Sequence, residues 1–152
     1  MTRRLILVLV FFAGLVGGVG YALSHGSTPP HDRLTPDAAH AEARAGERLL
    51  IDIRTPAEWA ATGVPEGAVT LDFKASGEGP AFVDGVLALT DGDRGRPIAL
   101  ICARGNRSGR AWRLLHEAAF GDVKDVAEGM LGNDLGPGWL GRGLPTRPWS
   151  SR

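Results

Sequence analysis

The sequence predicts an α/β domain of three layers, a mostly parallel sheet with helices on both faces, preceded by an N-terminal hydrophobic helix. Three observations carry that reading. Between residues 34 and 147, strand-like and helix-like segments alternate. The run "PIALI" (97–101) is apolar without a break, as expected of a central parallel strand covered on both faces. The first 24 residues, by contrast, contain a long uncharged apolar stretch with no amphipathic face.

That leading stretch, "MTRRLILVLVFFAGLVGGVGYALSHG", has Arg3 and Arg4 and then 19 uncharged residues, Leu5 to Leu23. As a helix it would cover roughly 28 Å, close to the hydrocarbon thickness of a bilayer. Two readings stay open. One is a secretory signal over residues 1–24, with Ala22 and Ser24 as the small residues before a cut at His25. The other is a retained anchor through residues 5–23, since the run is longer than a usual signal core. Both place Arg3 and Arg4 inside and the remainder outside the cytoplasm, periplasmic or otherwise extracytoplasmic.

The rest of the chain reads as follows. Residues 25–33 are a polar, proline-containing linker, with the domain over 34–147 and a tail at 148–152. Thr35-Pro36 is an N-cap and first helical residue, opening a short helix that ends near Gly46. "RLLIDIR" (48–54) is a strand with Leu49, Ile51 and Ile53 on one face. Thr55-Pro56 starts a second short helix, stopped by Gly63 and Pro65. "GAVTLDF" (67–73) is a second strand, "PAFVDGVLAL" (80–89) a helix, and "TDGDRGR" (90–96) a turn before the apolar strand. From Ser108 to Phe120, Ala111, Leu114, Leu115, Ala118 and Ala119 share one helical face, with Arg110, Arg113 and Glu117 opposite. "DVKDVA" (122–127) is a last strand.

Composition excludes several classes. Acidic and basic residues balance at 17 each, so nothing global points to nucleic acid. A single cysteine rules out an internal disulfide framework and any multi-cysteine zinc site. "HEAAF" (116–120) lacks the second histidine of a zincin helix, and no metal or other cofactor is expected. His25, His31 and His40 fall in the linker or first helix and are expected to face solvent.

The single cysteine is the informative residue. Cys102 follows the buried strand directly, at the sheet edge where open α/β folds bind ligands. The loop "CARGNRS" (102–108) then leads into a helix, whose positive dipole end and curled backbone N–H groups favour an anion. Arginines at 104, 107, 110 and 113 add positive charge, with no acid between 102 and 116. Each effect favours a nucleophilic thiolate. Gly105 permits the positive φ such a cradle needs. A buried, inert cysteine is the plainer alternative, but an arginine- and glycine-rich loop is an odd setting for one.

"CARGNRS" resembles the active-site loop of the rhodanese-like sulfurtransferases, typically C-R-S-G-N-R-S, at Cys102, Gly105, Asn106, Arg107 and Ser108. The resemblance extends over roughly 34–147. "LLIDIRTPAEW" is similar to the family's D-x-R…E-[FY] segment at Asp52, Arg54, Glu58 and Trp59. "TGVPEGAVTLDF" resembles G-H-I-P-G-A-x-N-I, with Gly63 where histidine is common and Glu66 extra. Gly129, Trp139, Gly143, Leu144 and Pro145 match the closing segment. Ala103 and Arg104 depart from the loop's usual Arg-Ser, which bears on substrate preference.

The resemblance implies a two-step sulfur transfer. Cys102 would take sulfane sulfur from a small anionic donor such as thiosulfate, and its persulfide would pass it to a thiol or cyanide. The amides of Ala103 to Arg107 would hold the persulfide, with Arg104 or Arg107 receiving the donor and Gly105, Asn106 and Ser108 counted with them in the anion-binding site. Asp52 and Arg54 are expected as structural support, an ion pair tying the first strand to the loop, and Trp59, Trp112 and Trp139 as packing. Two rivals remain. A cysteine phosphatase of related fold uses C-x5-R, one residue longer than the C-x4-R of Cys102 to Arg107. A non-catalytic binding or redox-sensing module needs no turnover at all.

Overall fold

A computed structural model describes residues 31–150, so the expected hydrophobic helix at 5–23 and most of the linker lie outside the described residues. Among the described residues, no helix is long and apolar enough to cross a membrane. The elements run α1 (Pro36–Ala45), β1 (Leu49–Asp52), α2 (Pro56–Thr62), β2 (Val64–Pro65), β3 (Val69–Thr70), α3 (Pro80–Leu89), β4 (Ile98–Ile101), α4 (Asn106–Glu117), β5 (Val123–Asp125), α5 (Gly138–Gly141) and β6 (Thr146–Arg147).

Four strands form a parallel sheet in the order β3-β1-β4-β5. Strand alternation sends side chains to two separate cores. Ile51, Ile53, Ile98, Leu100 and Cys102 point to one face, against Phe82 and Val86 of α3 and Ala111, Trp112 and Leu115 of α4. Leu50, Ala99 and Ile101 point to the other, against Ala39 of α1, Trp59 of α2 and Trp139 of α5. All four residues of β4 are fully buried, as its unbroken apolar run predicts. Ile98, Leu100 and Ile101 each contribute about 1.5–3 kcal/mol relative to exposure. The three expected tryptophans pack in these cores.

The chain steps from β1 outward to β3, then back across β1 to β4 and on to β5. The sheet therefore changes direction between β1 and β4, the place at whose carboxyl edge open α/β sheets bind ligands. Asp52 ends β1, and Cys102 follows β4.

Local signals set the helix boundaries. Thr35 caps α1 through its side chain, and Gly46 ends it in the left-handed region. Thr55 and Glu58 form a capping box at α2. The last core helix, α4, starts at Asn106 rather than Ser108 and ends at Glu117 rather than Phe120. Its end is closed by bonds from Ala119 N to His116 O and Phe120 N to Leu115 O, with Ala119 at φ 62°.

Other expectations shift. The strand expected over 67–73 is regular only at Val69–Thr70, although Leu71 N and Phe73 N still bond to Asp52 O and Ile53 O. Beyond it, the Asp72 carboxylate accepts from the N–H groups of Lys74 and Ala75 and turns the chain away. Val64–Pro65, read as a helix stop, pairs antiparallel with Thr146–Arg147. Two-residue strands carry no periodicity to detect. Residues 32–34, spanning the end of the expected linker and the start of the expected domain, lie along the edge of β5: Asp125 N bonds Asp32 O and Leu34 N bonds Asp125 O. Trp149, in the expected tail, packs on Trp59 at 5.4 Å.

Candidate active site

Cys102 sits just past the carboxyl end of β4, 1% exposed. Its Sγ accepts a hydrogen bond from the N–H of Gly105 at 3.2 Å and lies 3.4 Å from the hydroxyl of Ser108. The loop from Cys102 to Asn106 is held from below by a second loop. Met130 N and Leu131 N bond the carbonyls of Cys102 and Ala103. Asn133 Nδ2 bonds the carbonyls of Arg104 and Ala127.

Two glycines make this close approach possible. Gly105, at φ 85°, caps α4, and a Cβ there would fall 2.2 Å from Ala127 O. Gly129, at φ 67°, would place a Cβ 2.6 Å from Ala103 O. The expected positive φ at Gly105 is present, and the crowding adds a second reason for glycine.

The expected ring of inward amides is present only in part. Gly105 donates to the sulfur, while the N–H groups of Ala103, Arg104, Asn106 and Arg107 bond no other group among the described residues. Those four donors are what an anion above the sulfur would meet. Ser108 is fully buried, its hydroxyl donating to Gly105 O at 3.1 Å.

The arginines divide their work differently from expectation. Arg107 does not face an open site. Its guanidinium grips Glu58 with two bonds, Nη1 to Oε2 at 2.8 Å and Nη2 to Oε1 at 2.5 Å. The Arg107 hydrogen bond holds Glu58 down at about 2, against the opposing effect of burial. Arg107 is raised in turn, mainly by that bond, with Cys102 and Asp52 adding weaker charge effects. Arg104 is exposed and donates to Gly132 O at 3.0 Å. Arg110 reaches outward to Glu78.

Asp52 and Arg54 form the expected buried ion pair, Nη2 to Oδ2 at 2.6 Å. The pair does not tie β1 to the cysteine loop, which is a correction. The other donors of Arg54 go to Thr62 Oγ1, Gly63 O and Glu58 O, so it fastens β1 to α2. The link to the cysteine loop is Glu58, which sequence reading matched to a motif without giving it a partner. Asn133 carried no signal in the sequence that would have placed it under the cysteine loop.

His31 and His40 also depart from expectation. Both are half-buried: His31 packs tilted against Trp112, centroids 4.5 Å apart, with its Nε2 2.9 Å from Asp125 Oδ2, and His40 meets Trp139 edge-on at 5.4 Å. His25 lies outside the described residues. Among the described residues, no group of His, Cys, Asp and Glu is arranged to hold a metal ion.

A parallel sheet with its direction change beside a cysteine loop of this kind defines an α/β domain with a buried cysteine at the end of a central strand. The family model "Rhodanese-like domain" matches residues 35–132, and the chain belongs to that family. An uncharacterized protein of Rickettsia prowazekii (strain Madrid E) is 26% identical over 99 residues, 64% of this chain and 80% of that one. Among solved structures, the rhodanese-like domain of the Anabaena sp. Alr3790 protein superposes with a TM-score of 0.60 at 19% identity, covering 78% of this chain and 80% of that one. The polysulfide-sulfur transferase homodimer of Wolinella succinogenes superposes at 0.59 with 24% identity, covering 79% and 80%. At these identities the two likenesses show the fold.

Proposed function

We propose that this domain transfers sulfane sulfur through a persulfide on Cys102. One observation carries the reading: the buried Sγ accepts the Gly105 N–H inside a loop whose other amides are unspent. A thiolate held there attacks the outer sulfur of a donor such as thiosulfate. The new S–S bond forms as sulfite leaves with the electron pair of the broken bond. A thiol or cyanide then attacks the outer persulfide sulfur and regenerates the thiolate. The loop amides stabilise the anionic sulfur in both steps. Since Arg107 is held by Glu58, the donor anion meets those amides first and Arg104 at the rim. Polysulfide is a second donor of the same chemistry, in keeping with the fold neighbour from Wolinella. No cofactor takes part in these steps.

Intact mass after thiosulfate treatment tests this. The wild type should gain about 32 Da, one sulfur atom, and lose it on adding cyanide. Cys102→Ser should neither gain mass nor turn over, because a hydroxyl here has no general base and cannot store sulfur. An unlabelled wild type that binds a partner protein would favour the non-catalytic module. Aryl-phosphate hydrolysis without sulfur transfer would favour the phosphatase.

We further propose that the domain works outside the cytoplasm, delivered by the apolar segment at 5–23. Alkaline phosphatase fused after residue 30 should then be active. An inactive fusion beside an active cytoplasmic reporter would overturn export.

A further inference from the structure

Three successive carbonyls of the cysteine loop are held by one neighbouring segment. Met130 N bonds Cys102 O and Leu131 N bonds Ala103 O, both at 2.9 Å, and Asn133 Nδ2 bonds Arg104 O at 3.0 Å. Every peptide among the described residues is trans, so the C=O of one residue and the N–H of the next point in opposite directions. Fixing the three carbonyls therefore turns the N–H groups of Ala103, Arg104 and Gly105 away from the 130–133 segment. The third of these N–H groups reaches the sulfur: Gly105 donates to Cys102 Sγ at 3.2 Å.

The first two carbonyls are held by backbone and the third by a side chain. That third peptide is the one that touches the sulfur, and glycine at 105 makes it the least constrained of the three. A flip of the 104–105 unit reverses the sign of φ at residue 105, which stands at 85°. Glycine tolerates either sign, where other residues resist one of them. The flipped unit would aim Arg104 O, not the Gly105 N–H, at the sulfur, and a carbonyl oxygen repels a thiolate or a persulfide.

The Asn133 side chain is itself held. Its Oδ1 accepts from Leu135 N at 2.8 Å, so the other end of the amide carries the donors. Both hydrogens of Nδ2 are then spent inward, on Arg104 O and on Ala127 O, the latter at 2.7 Å. The fit leaves no slack: a Cβ on Gly105 would fall 2.2 Å from Ala127 O and 3.4 Å from Asn133 Nδ2. Arg104 is latched again by its Nη1 to Gly132 O, but that contact belongs to the side chain and does not set the plane of the peptide.

We propose that Asn133 is a positioning residue of this site: through Arg104 O it holds the 104–105 peptide with its N–H on the Cys102 sulfur. It acts through one peptide unit rather than on the sulfur itself. Its bond to Arg104 O also polarises that peptide, which strengthens the Gly105 N–H as a donor to a negative sulfur. No covalent bond changes. The inference rests on the reading of Cys102 as a thiolate nucleophile, and it adds the residue outside the loop that keeps the nucleophile's donor in place.

The test reads the thiol, so it does not depend on sulfur being transferred. Asn133→Leu is close to the same size and removes the donor without adding a charge. Cys102 is the only cysteine, so the ultraviolet thiolate absorbance of the full chain reports it alone. The variant should hold about tenfold less thiolate than the wild type at a fixed pH below the titration, the effect of losing one hydrogen bond to a charged sulfur. In nuclear magnetic resonance spectra the Gly105 amide proton should move as the wild-type thiol ionises and stay nearly still in the variant. A merely structural Asn133 would lower the urea midpoint and leave both readouts alone. Should the variant not fold, the wild type supplies its own check: the Asn133 side-chain NH2 resonances should move together with Gly105 as Cys102 ionises. Coincident thiol titrations, a Gly105 amide that still tracks the thiol in the variant, or wild-type Asn133 resonances indifferent to it would each overturn the proposal. A shifted titration without a persulfide in the wild type would leave it standing and remove only the sulfur-transfer reading. A wild-type persulfide with coincident titrations would do the reverse.

Discussion

Two turns leave the carboxyl edge of neighbouring strands, and they are built on opposite plans. The turn from β1 into α2 is closed. Arg54 spends its guanidinium on Asp52, Glu58 O, Thr62 and Gly63, and the Thr55–Glu58 capping box satisfies the start of α2. The turn from β4 into α4 is open. It is capped by a left-handed glycine with no side-chain cap, and four of its amides have no acceptor among the described residues. Similar topology thus yields a fastener in one case and a turn with unspent amides in the other. Glu58 joins them: its carboxylate accepts from Thr55 of the closed turn and from Arg107 of the open one.

Breaking the closed turn should have the largest effect on stability. Arg54→Ala leaves Asp52 fully buried with its ion-pair partner gone. Loss of one partner from a buried pair costs about 3–5 kcal/mol. Urea unfolding should show the unfolding free energy lowered by that amount, with the midpoint falling accordingly, and Arg54→Lys should recover only part, because an ammonium cannot reproduce the fork. A midpoint unchanged by Arg54→Ala would mean the fastening lies elsewhere.

The open turn should fail differently. Gly105→Ala forces a left-handed alanine and drives its Cβ onto Ala127 O. A cost of about 2–4 kcal/mol follows from the positive φ and the overlap together. The distinguishing result is local: the loop must move, so Cys102 loses its N–H donor. Alkylation of Cys102 should change in the folded variant, whereas Arg54→Ala should leave the folded protein's alkylation rate near wild type. Equal alkylation in both variants would erase the distinction between the turns.

The same contrast explains what could be read from the sequence. The closed turn announces itself through Thr-Pro and a nearby glutamate, and the buried strand through an unbroken apolar run. Cys102, Gly105 and Ser108 were legible because glycine and a lone thiol are informative next to such a strand. The partners were not. Arg107 looks like a free anion-binding charge until α2 brings Glu58 across 49 residues of chain to meet it. Asp125 reads as one polar position in a short strand, and only the parallel placement of β5 beside β4, with Asp125 level with Leu100, buries it. Long-range pairings between charged side chains leave no local period.

The bridge between the turns gives the smallest and most selective prediction. Glu58→Gln keeps a side-chain oxygen to accept from Thr55 but removes the charge that holds Arg107. Glu58 is partly exposed, so the pair should contribute no more than about 1 kcal/mol at neutral pH. Its sign with pH follows from the direction of the shift. Folded Glu58 ionises at about 2 against an ordinary 4.5, so its contribution is present above about 4.5 and is lost as pH falls toward 2. Wild type and Glu58→Gln should therefore differ in urea midpoint near neutrality and converge across that acid window. Arg107, once released, can turn to an anion in the open loop, so the KM for thiosulfate should fall rather than rise. A higher KM would mean that Glu58 serves the cradle by fixing Arg107 in place, and the closed turn would then be part of the open one's machinery.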